Sequence, residues 1–123
     1  MKKLFISCPM RGRTEEQIRE SMDKMHKIAE AYAGEELERI DSYIEHDPPK
    51  TAKVAIWYLG ESIKKLSGAD LFITIDETYR YPGCSTELDV AAKYGIPYIK
   101  ADSRYVAPDI LESHNEGVIN CRY

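Results

Sequence analysis

The sequence predicts an α/β fold in which a mainly parallel sheet of four or five strands is covered by helices. Two observations lead to this prediction. Short apolar runs alternate along the chain with longer segments whose apolar residues recur every three or four positions. Strands that are separated by helices usually pair in parallel, and a parallel sheet needs helices on both faces. The 123 residues suffice for one domain, residues 1–123, and are too few for two.

The first half of the chain predicts two strand–helix units. A strand over residues 3–7 ends before Pro9, and Thr14 then precedes a helix with acidic residues in its first turn. Apolar residues at offsets of four and three carry this helix to Gly34. A second strand over residues 38–44 closes at a proline-rich turn, and a second helix follows over residues 52–67.

The second half predicts a strand over residues 71–75, a helix over 85–94 that stops at Gly95, and a strand over 96–99. Residues 118–121 are a candidate fifth strand. The expected architecture is a single-domain, three-layer sandwich of the Rossmann or flavodoxin type. Ligands of such folds bind beyond the C-terminal ends of the strands, where the strand order reverses.

Composition and charge argue against several classes of protein. The net charge is −4, and the basic residues are spread along the chain, which speaks against binding to a nucleic acid polymer or to a membrane surface. No apolar run approaches the roughly 20 residues of a membrane-spanning helix. Three cysteines without CxxC spacing and three scattered histidines predict neither a disulfide framework nor a metal site. We therefore expect a cytoplasmic protein that needs no metal or cofactor.

The stretch RYPGCSTELDVAAKYG, residues 80–95, places Glu87 near the start of a predicted helix that is entered through Pro82 and Gly83. An ionised carboxylate in a cleft can act as a nucleophile or can stabilise developing positive charge. Helix capping is the alternative, with Ser85 or Thr86 as the cap and Glu87 complementing the helix dipole. The spacing alone leaves both interpretations open.

For each of the other candidate site residues, a purely structural explanation is also available. In the loop SCPMRG, Gly12 allows close backbone approach and Arg11 offers a forked donor to a phosphate, but a plain turn with a solvated arginine explains both. Trp57 is suited to stack on a base or to pack an amphipathic helix. Glu61 is a candidate proton donor or a solvated carboxylate. Cys84 lies in a loop without a histidine to activate its thiol.

Three segments carry a resemblance to a known superfamily: FISCPMRGRTEE, SIKKLSGADLFITI and PGCSTELDVAAKYGIPYI. They resemble the first strand and loop, the helix and third strand, and the glutamate-bearing segment of the nucleoside 2-deoxyribosyltransferase-like superfamily, especially its small phage and bacterial proteins. The stretch Met10-Arg11-Gly12 is similar to the loop that lies against the substrate in deoxynucleoside monophosphate N-glycosidases. Gly83 stands four residues before Glu87, as the family pattern requires. The similarity covers residues 4–99.

This resemblance implies that Glu87 is a nucleophile that cleaves the N-glycosidic bond of a nucleoside or nucleoside 5′-monophosphate, by hydrolysis or by (deoxy)ribosyl transfer. Glu61 is then the candidate acid that protonates the departing base. The resemblance also implies a homodimer or larger homo-oligomer. The expected substrate-binding residues are Ser7, Pro9, Met10, Arg11, Gly12, Trp57, Ser62, Tyr81, Gly83, Cys84 and Ser85.

Departures from the family pattern keep other functions open. Tyr81 stands where active members often have Asp or Ser, Ser62 where many have Asp, and Ser85 where a glycine is common. These replacements favour a binding module that holds a nucleotide or nucleotide derivative without chemistry. A phosphoribohydrolase of the lysine-decarboxylase-like kind is a third possibility, because PGCSTE is distantly similar to that family's Pro-Gly-Gly-x-Gly-Thr motif, although the second glycine is missing here.

Overall fold

A computed structural model describes residues 1–50 and 52–110. Strands and helices alternate along this part of the chain, with a short 3-10 helix at Thr78–Arg80 before the third long helix. The strands are β1 Lys3–Ile6, β2 Glu38–Arg39, β3 Leu71–Ile75 and β4 Tyr98–Ala101, and the α-helices are α1 Glu15–Ala33, α2 Val54–Leu66, α3 Pro82–Lys93 and α4 Ser103–Val106. None of the helices within this part of the chain is long and apolar enough to cross a membrane.

The four strands form one sheet in the order β2-β1-β3-β4, and every neighbouring pair is parallel. Strand β1 pairs with β3 through Leu4 opposite Leu71 and Ile6 opposite Ile73. The chain therefore moves from β1 to one side to form β2 and then crosses to the other side of β1 to form β3. The C-terminal ends of β1 and β3 flank the point at which the strand order reverses, where ligands of parallel sheets bind.

Two buried clusters divide the strand residues in an alternating manner, as expected when successive side chains point to opposite faces of a sheet. The first cluster joins Leu4, Ile6, Ile73 and Ile75 to residues of α1, including Met25. The second joins Phe5 and Phe72 to Leu66 of α2 and Ala91 of α3. The rings of Phe5 and Phe72 stack with their centroids 5.8 Å apart. The β1–β3 pair thus contributes to both clusters.

The predicted first helix and third strand are confirmed. Thr14 caps α1 in a reciprocal capping box with Gln17, and Gly34 ends the helix with a φ of 71°. Glycine adopts this left-handed conformation without the steric cost that other residues meet. Strand β3 has the predicted bounds, and all five of its residues are buried.

The predicted second strand is wrong beyond its first residues. It was expected over 38–44, whereas β2 comprises Glu38–Arg39, followed by one more bond from the Ile40 N–H to the Leu4 carbonyl. The Asp41 side chain then accepts the Tyr43 N–H at 2.9 Å. Such a local turn competes with strand pairing for the backbone, and the chain leaves the sheet.

The fourth strand begins two residues later than predicted and ends later too, at Ala101. The Ile96 N–H still bonds to the Ala91 carbonyl at the end of α3. Pro97 has no N–H to offer, although its carbonyl accepts the Phe72 N–H at 2.9 Å. The candidate fifth strand over 118–121 lies outside the described residues.

Candidate functional site

Three side chains from separate elements meet beside the C-terminal end of β1. Ser7 directly follows β1, Ser62 lies on α2 and Glu87 lies on α3. The Ser7 backbone is fixed by β3, because its N–H donates to the Ile73 carbonyl at 2.8 Å and its carbonyl accepts the Thr74 hydroxyl at 3.1 Å. The Ser7 side chain is consequently presented from a rigid position.

Both carboxylate oxygens of Glu87 accept a serine hydroxyl. Ser7 donates to Oε1 at 2.7 Å, and Ser62 donates to Oε2 at 2.5 Å. Glu87 is 7% exposed and Ser7 is 3% exposed, so the first bond is buried, whereas the bond from Ser62 is only partly buried. The arrangement holds a carboxylate by hydroxyl groups from two neighbouring elements.

Burial raises the pKa of Glu87 above its ordinary value of 4.5, because removal from water disfavours the charged form. The hydrogen bonds from Ser62 and then Ser7 act in the opposite direction, because they favour the charged form. Buried carboxylates are more often neutralised by a cationic partner. Here hydroxyl groups oppose the effect of desolvation.

The capping interpretation of Glu87 is wrong, and so is the predicted helix start at residue 85. Helix α3 begins at Pro82, a residue whose fixed φ suits the first helical position. Glu87 comes five residues later, in the second turn, and the first turn of α3 contains no acidic residue and no side-chain cap. Ser85 and Thr86 therefore lie inside the helix and do not cap it.

Cys84 lies beside Ser7 and Glu87, and Tyr81, the residue before α3, lies near Cys84. Burial raises the pKa of the Cys84 thiol to about 12, with a smaller opposing contribution from its hydrogen bond to Ser7. Burial also raises the pKa of Tyr81 to about 12. Both side chains are neutral near pH 7, and a neutral buried thiol is a poor nucleophile. The burial of Cys84 thus argues against a reactive-thiol role.

The loop after β1 turns back towards α1. Pro9 is fully buried, whereas Met10 is 48% exposed and Arg11 is exposed. The Arg13 N–H donates to the Met10 carbonyl at 3.2 Å, and Gly12 inside this turn has a φ of 72°. The exposed side chains of this loop thus lie within a few residues of Ser7.

Gly83 and Ser85 lie in the first turn of α3. A Cβ added at Gly83 would meet no atom within 4 Å, and Gly83 does not have a positive φ. Neither packing nor backbone strain within the described residues therefore requires a glycine there. The space beside it is open to an approaching molecule.

Glu61 and Trp57 are not brought to Glu87 by any contact among the described residues. Glu61 pairs with Lys64 at 2.8 Å and lines a groove of about 380 Å³ between α2 and the chain that follows β2. Trp57 packs edge-on against Tyr58, with ring centroids 5.1 Å apart. It is Ser62, the neighbour of Glu61, that contacts the glutamate.

Sequence reasoning missed Arg13. Its guanidinium is almost fully buried and forms an ion pair with Asp109 at 2.8 Å. One signal was available, because an arginine next to the N-cap Thr14 stands at the positive end of a helix dipole, where a cation is unfavourable without an anionic partner. The sequence did not indicate which acidic residue is that partner.

Comparisons with protein-family models, with curated proteins and with solved structures found no match for this chain. The geometry around Glu87 therefore carries the functional argument.

Proposed function

We propose that the chain is a single-domain, three-layer sandwich of the Rossmann or flavodoxin type that cleaves the N-glycosidic bond of a nucleoside or nucleoside 5′-monophosphate through Glu87. The observation that carries this proposal is a buried glutamate at the switch point of a parallel sheet, held by two hydroxyl groups. Within residues 1–50 and 52–110, the hydrogen bonds to the Glu87 carboxylate come from hydroxyl groups, and in its ionised form such a carboxylate can attack an electron-poor carbon.

The two oxygens of Glu87 have different roles in the proposed reaction. Oε1 stays bound to the buried Ser7, whereas Oε2 is held by the partly buried Ser62 and is the oxygen that reaches the substrate. As the bond between the anomeric carbon and the base breaks, Oε2 forms a bond to that carbon, through a transition state with oxocarbenium character. The electron pair of the broken bond leaves with the base, which takes a proton from Glu61 or from water.

Release of the covalent glycosyl intermediate needs a second nucleophile. Water attacks the anomeric carbon as the bond from that carbon to Oε2 breaks, and Glu87 is regenerated as a carboxylate. The proton of the attacking water returns to Glu61 if Glu61 protonated the base, and otherwise leaves to solvent. An acceptor base in place of water gives transfer instead of hydrolysis. No metal or cofactor enters either route.

The substrate's 5′ end is proposed to lie near Arg11 or near the first turn of α3. Because α3 begins at Pro82, the Ser85 N–H already bonds to the Tyr81 carbonyl at 2.9 Å. In this first turn, the helical hydrogen-bond pattern provides no acceptor for the backbone N–H groups of Gly83 and Cys84. These two groups can therefore donate to an anion. The open space beside Gly83 supports close approach there.

A homodimer or larger homo-oligomer is part of this proposal. The N-terminal half of α2 exposes apolar residues, with Val54 53% exposed, Ile56 68% and Tyr58 38%. We place the contact between copies of the chain at these exposed apolar side chains, because exposed apolar surface can mark an interaction site. We also assign the protein to the cytoplasm, where buried free thiols such as Cys8 and Cys84 stay reduced.

Base release tests the catalytic proposal. Wild type, Glu87→Gln and Glu87→Ala are incubated with ribo- and deoxyribonucleosides and their 5′-monophosphates, and free base is separated by chromatography. Glu16→Gln, an exposed carboxylate change on α1, is the matched control. Base released by wild type and Glu16→Gln, with loss in both Glu87 variants, supports the nucleophile, and Glu61→Gln then reports on protonation of the base.

A non-catalytic nucleotide-binding module is the second candidate, favoured by Tyr81 and Ser62, which stand where members of the resembled superfamily often have acidic residues. Calorimetric titration of the same panel separates the two. Binding without base release, and without a pentosyl mass increase on acid-quenched protein, would establish the module and refute the glycosidase.

A further inference from the structure

Arg13 joins three separate parts of the chain through its buried side chain, which is 3% exposed. Its Nε and Nη2 donate to the two carboxylate oxygens of Asp109 at 2.8 and 2.9 Å. Nη2 also donates to the Ser21 hydroxyl on α1 at 2.6 Å, and Nη1 donates to the Pro9 carbonyl at 2.9 Å. The forked guanidinium thus links the loop after β1, helix α1 and the segment after α4.

The network continues beyond these partners. The Ser21 hydroxyl donates in turn to the Val106 carbonyl at 2.5 Å, and the Gln17 carbonyl accepts from Nη2 at 3.3 Å. Nη1 lies 3.6 Å from the Cys8 sulfur. A lysine has three donors on one nitrogen and cannot span partners that lie on different sides of a planar fork.

The position of this network connects it to the candidate site. Cys8 and Pro9 directly follow Ser7, and the Arg13 N–H closes the Met10–Arg13 turn. On the other side, the charges of Arg13 and Asp109 act on the hydroxyl of Tyr81, the residue that precedes α3. Arg13 thus contacts the segment that follows β1, and its charge also acts on the residue that precedes α3.

We propose that Arg13 is a positioning residue, which holds the loop of residues 8–12 in one conformation beside Ser7 and Glu87. Ser7 itself is fixed by β3, so the loop that follows it is the part that depends on the guanidinium. A loop ordered in advance keeps its exposed residues in place for a ligand, and loss of order weakens binding. The part of this proposal that concerns substrate binding rests on the proposed function. The part that concerns the order of the loop does not depend on it.

Thiol labelling tests loop order without any substrate. Cys8 is buried beneath the guanidinium, whereas Cys84 is buried on the α3 side, so peptide mapping after reaction with an alkylating reagent reports on both in one sample. Arg13→Met is expected to raise the labelling rate of Cys8 about ten- to hundredfold, because loss of hydrogen bonds to a charged group shifts a local opening equilibrium by that factor. Cys84 is expected to change less than about threefold.

Two further variants keep the test decisive. Arg13→Lys retains a charge for Asp109 but not the fork, and is expected to fall between wild type and Arg13→Met in Cys8 labelling. Arg39→Met removes another partly buried arginine, which lies on β2 and pairs with Asp23 of α1 at 2.9 Å, and this variant controls for general destabilisation. Equal increases at Cys8 and Cys84, or equal increases in Arg39→Met, would overturn the proposal. So would unchanged Cys8 labelling in a folded Arg13 variant.

The kinetic arm applies once a substrate is known. Arg13→Lys is expected to raise KM at least about tenfold with a smaller change in kcat, because a disordered loop costs binding free energy. A fall in kcat alone, with KM unchanged, would refute the link between the loop and the substrate. Absence of any base release by wild type would refute the proposed function and would leave the labelling result intact.

Discussion

The hydrogen bond from Ser7 to Glu87 gives the sharpest prediction. Ser7→Ala removes a 2.7 Å bond to a buried carboxylate and puts no donor in its place. A hydrogen bond to a charged group contributes about 1.5–3 kcal/mol, and a bond to a neutral group about 0.5–1.5 kcal/mol. The variant should therefore lose about 1.5–3 kcal/mol of unfolding free energy where Glu87 is ionised, and about 0.5–1.5 kcal/mol where it is protonated.

The direction of the pH dependence follows from the raised pKa of Glu87, which burial causes. The folded state binds the proton more tightly than the unfolded state, so the contribution of Glu87 to stability is full below the ordinary pKa of 4.5 and is lost as pH rises through the folded pKa. Ser7→Ala removes a donor that favours the charged form, and the folded pKa rises further. The penalty of the substitution must therefore grow as the pH increases.

Urea unfolding at several pH values, followed by the fluorescence of the single tryptophan, measures this penalty. Ser67→Ala is the matched control, because its hydroxyl donates to the exposed Lys64 carbonyl and no carboxylate is involved. In a Glu87→Gln background the pH dependence of the Ser7→Ala penalty should disappear. A penalty that stays constant from below the ordinary pKa of 4.5 through the whole pH range in which the protein stays folded would refute the description of Glu87 as a hydroxyl-held carboxylate.

Two other perturbations test the oligomer and the first helix. Ile56→Glu places a charge on the exposed apolar part of α2 and should convert the proposed oligomer to monomer in size-exclusion chromatography with light scattering, whereas Tyr32→Glu, at a residue 72% exposed on α1, should not. A wild-type monomer would contradict this prediction. Thr14→Ala removes the side-chain half of the capping box and should cost about 1 kcal/mol of unfolding free energy, against a few tenths at most for exposed Ser42→Ala. Equal losses in the two variants would show that the cap contributes nothing specific.

The sequence was informative where local chemistry decides the structure. Thr14 and Gly34 define the ends of α1 because capping and left-handed backbone are local properties. The run that forms β3 is apolar at nearly every position, as a strand buried on both faces requires. The predicted bounds of strands and helices were wrong where two local conformational preferences compete. The turn at Asp41 ended β2 early, and Pro82 started α3 before the residues that looked like caps.

The alternation of strands and helices, the strand-end location of the candidate loops and the choice of Glu87 as the residue to examine all came from the sequence. Its partners did not. Ser7 and Ser62 lie 80 and 25 positions from Glu87, and Arg13 lies 96 positions from Asp109. Strand order and helix packing bring such groups together. Spacing along the chain does not predict which distant hydroxyl or carboxylate group a side chain will contact. Burial, which raises the pKa of Glu87, likewise arises only once the sheet and its helices have assembled.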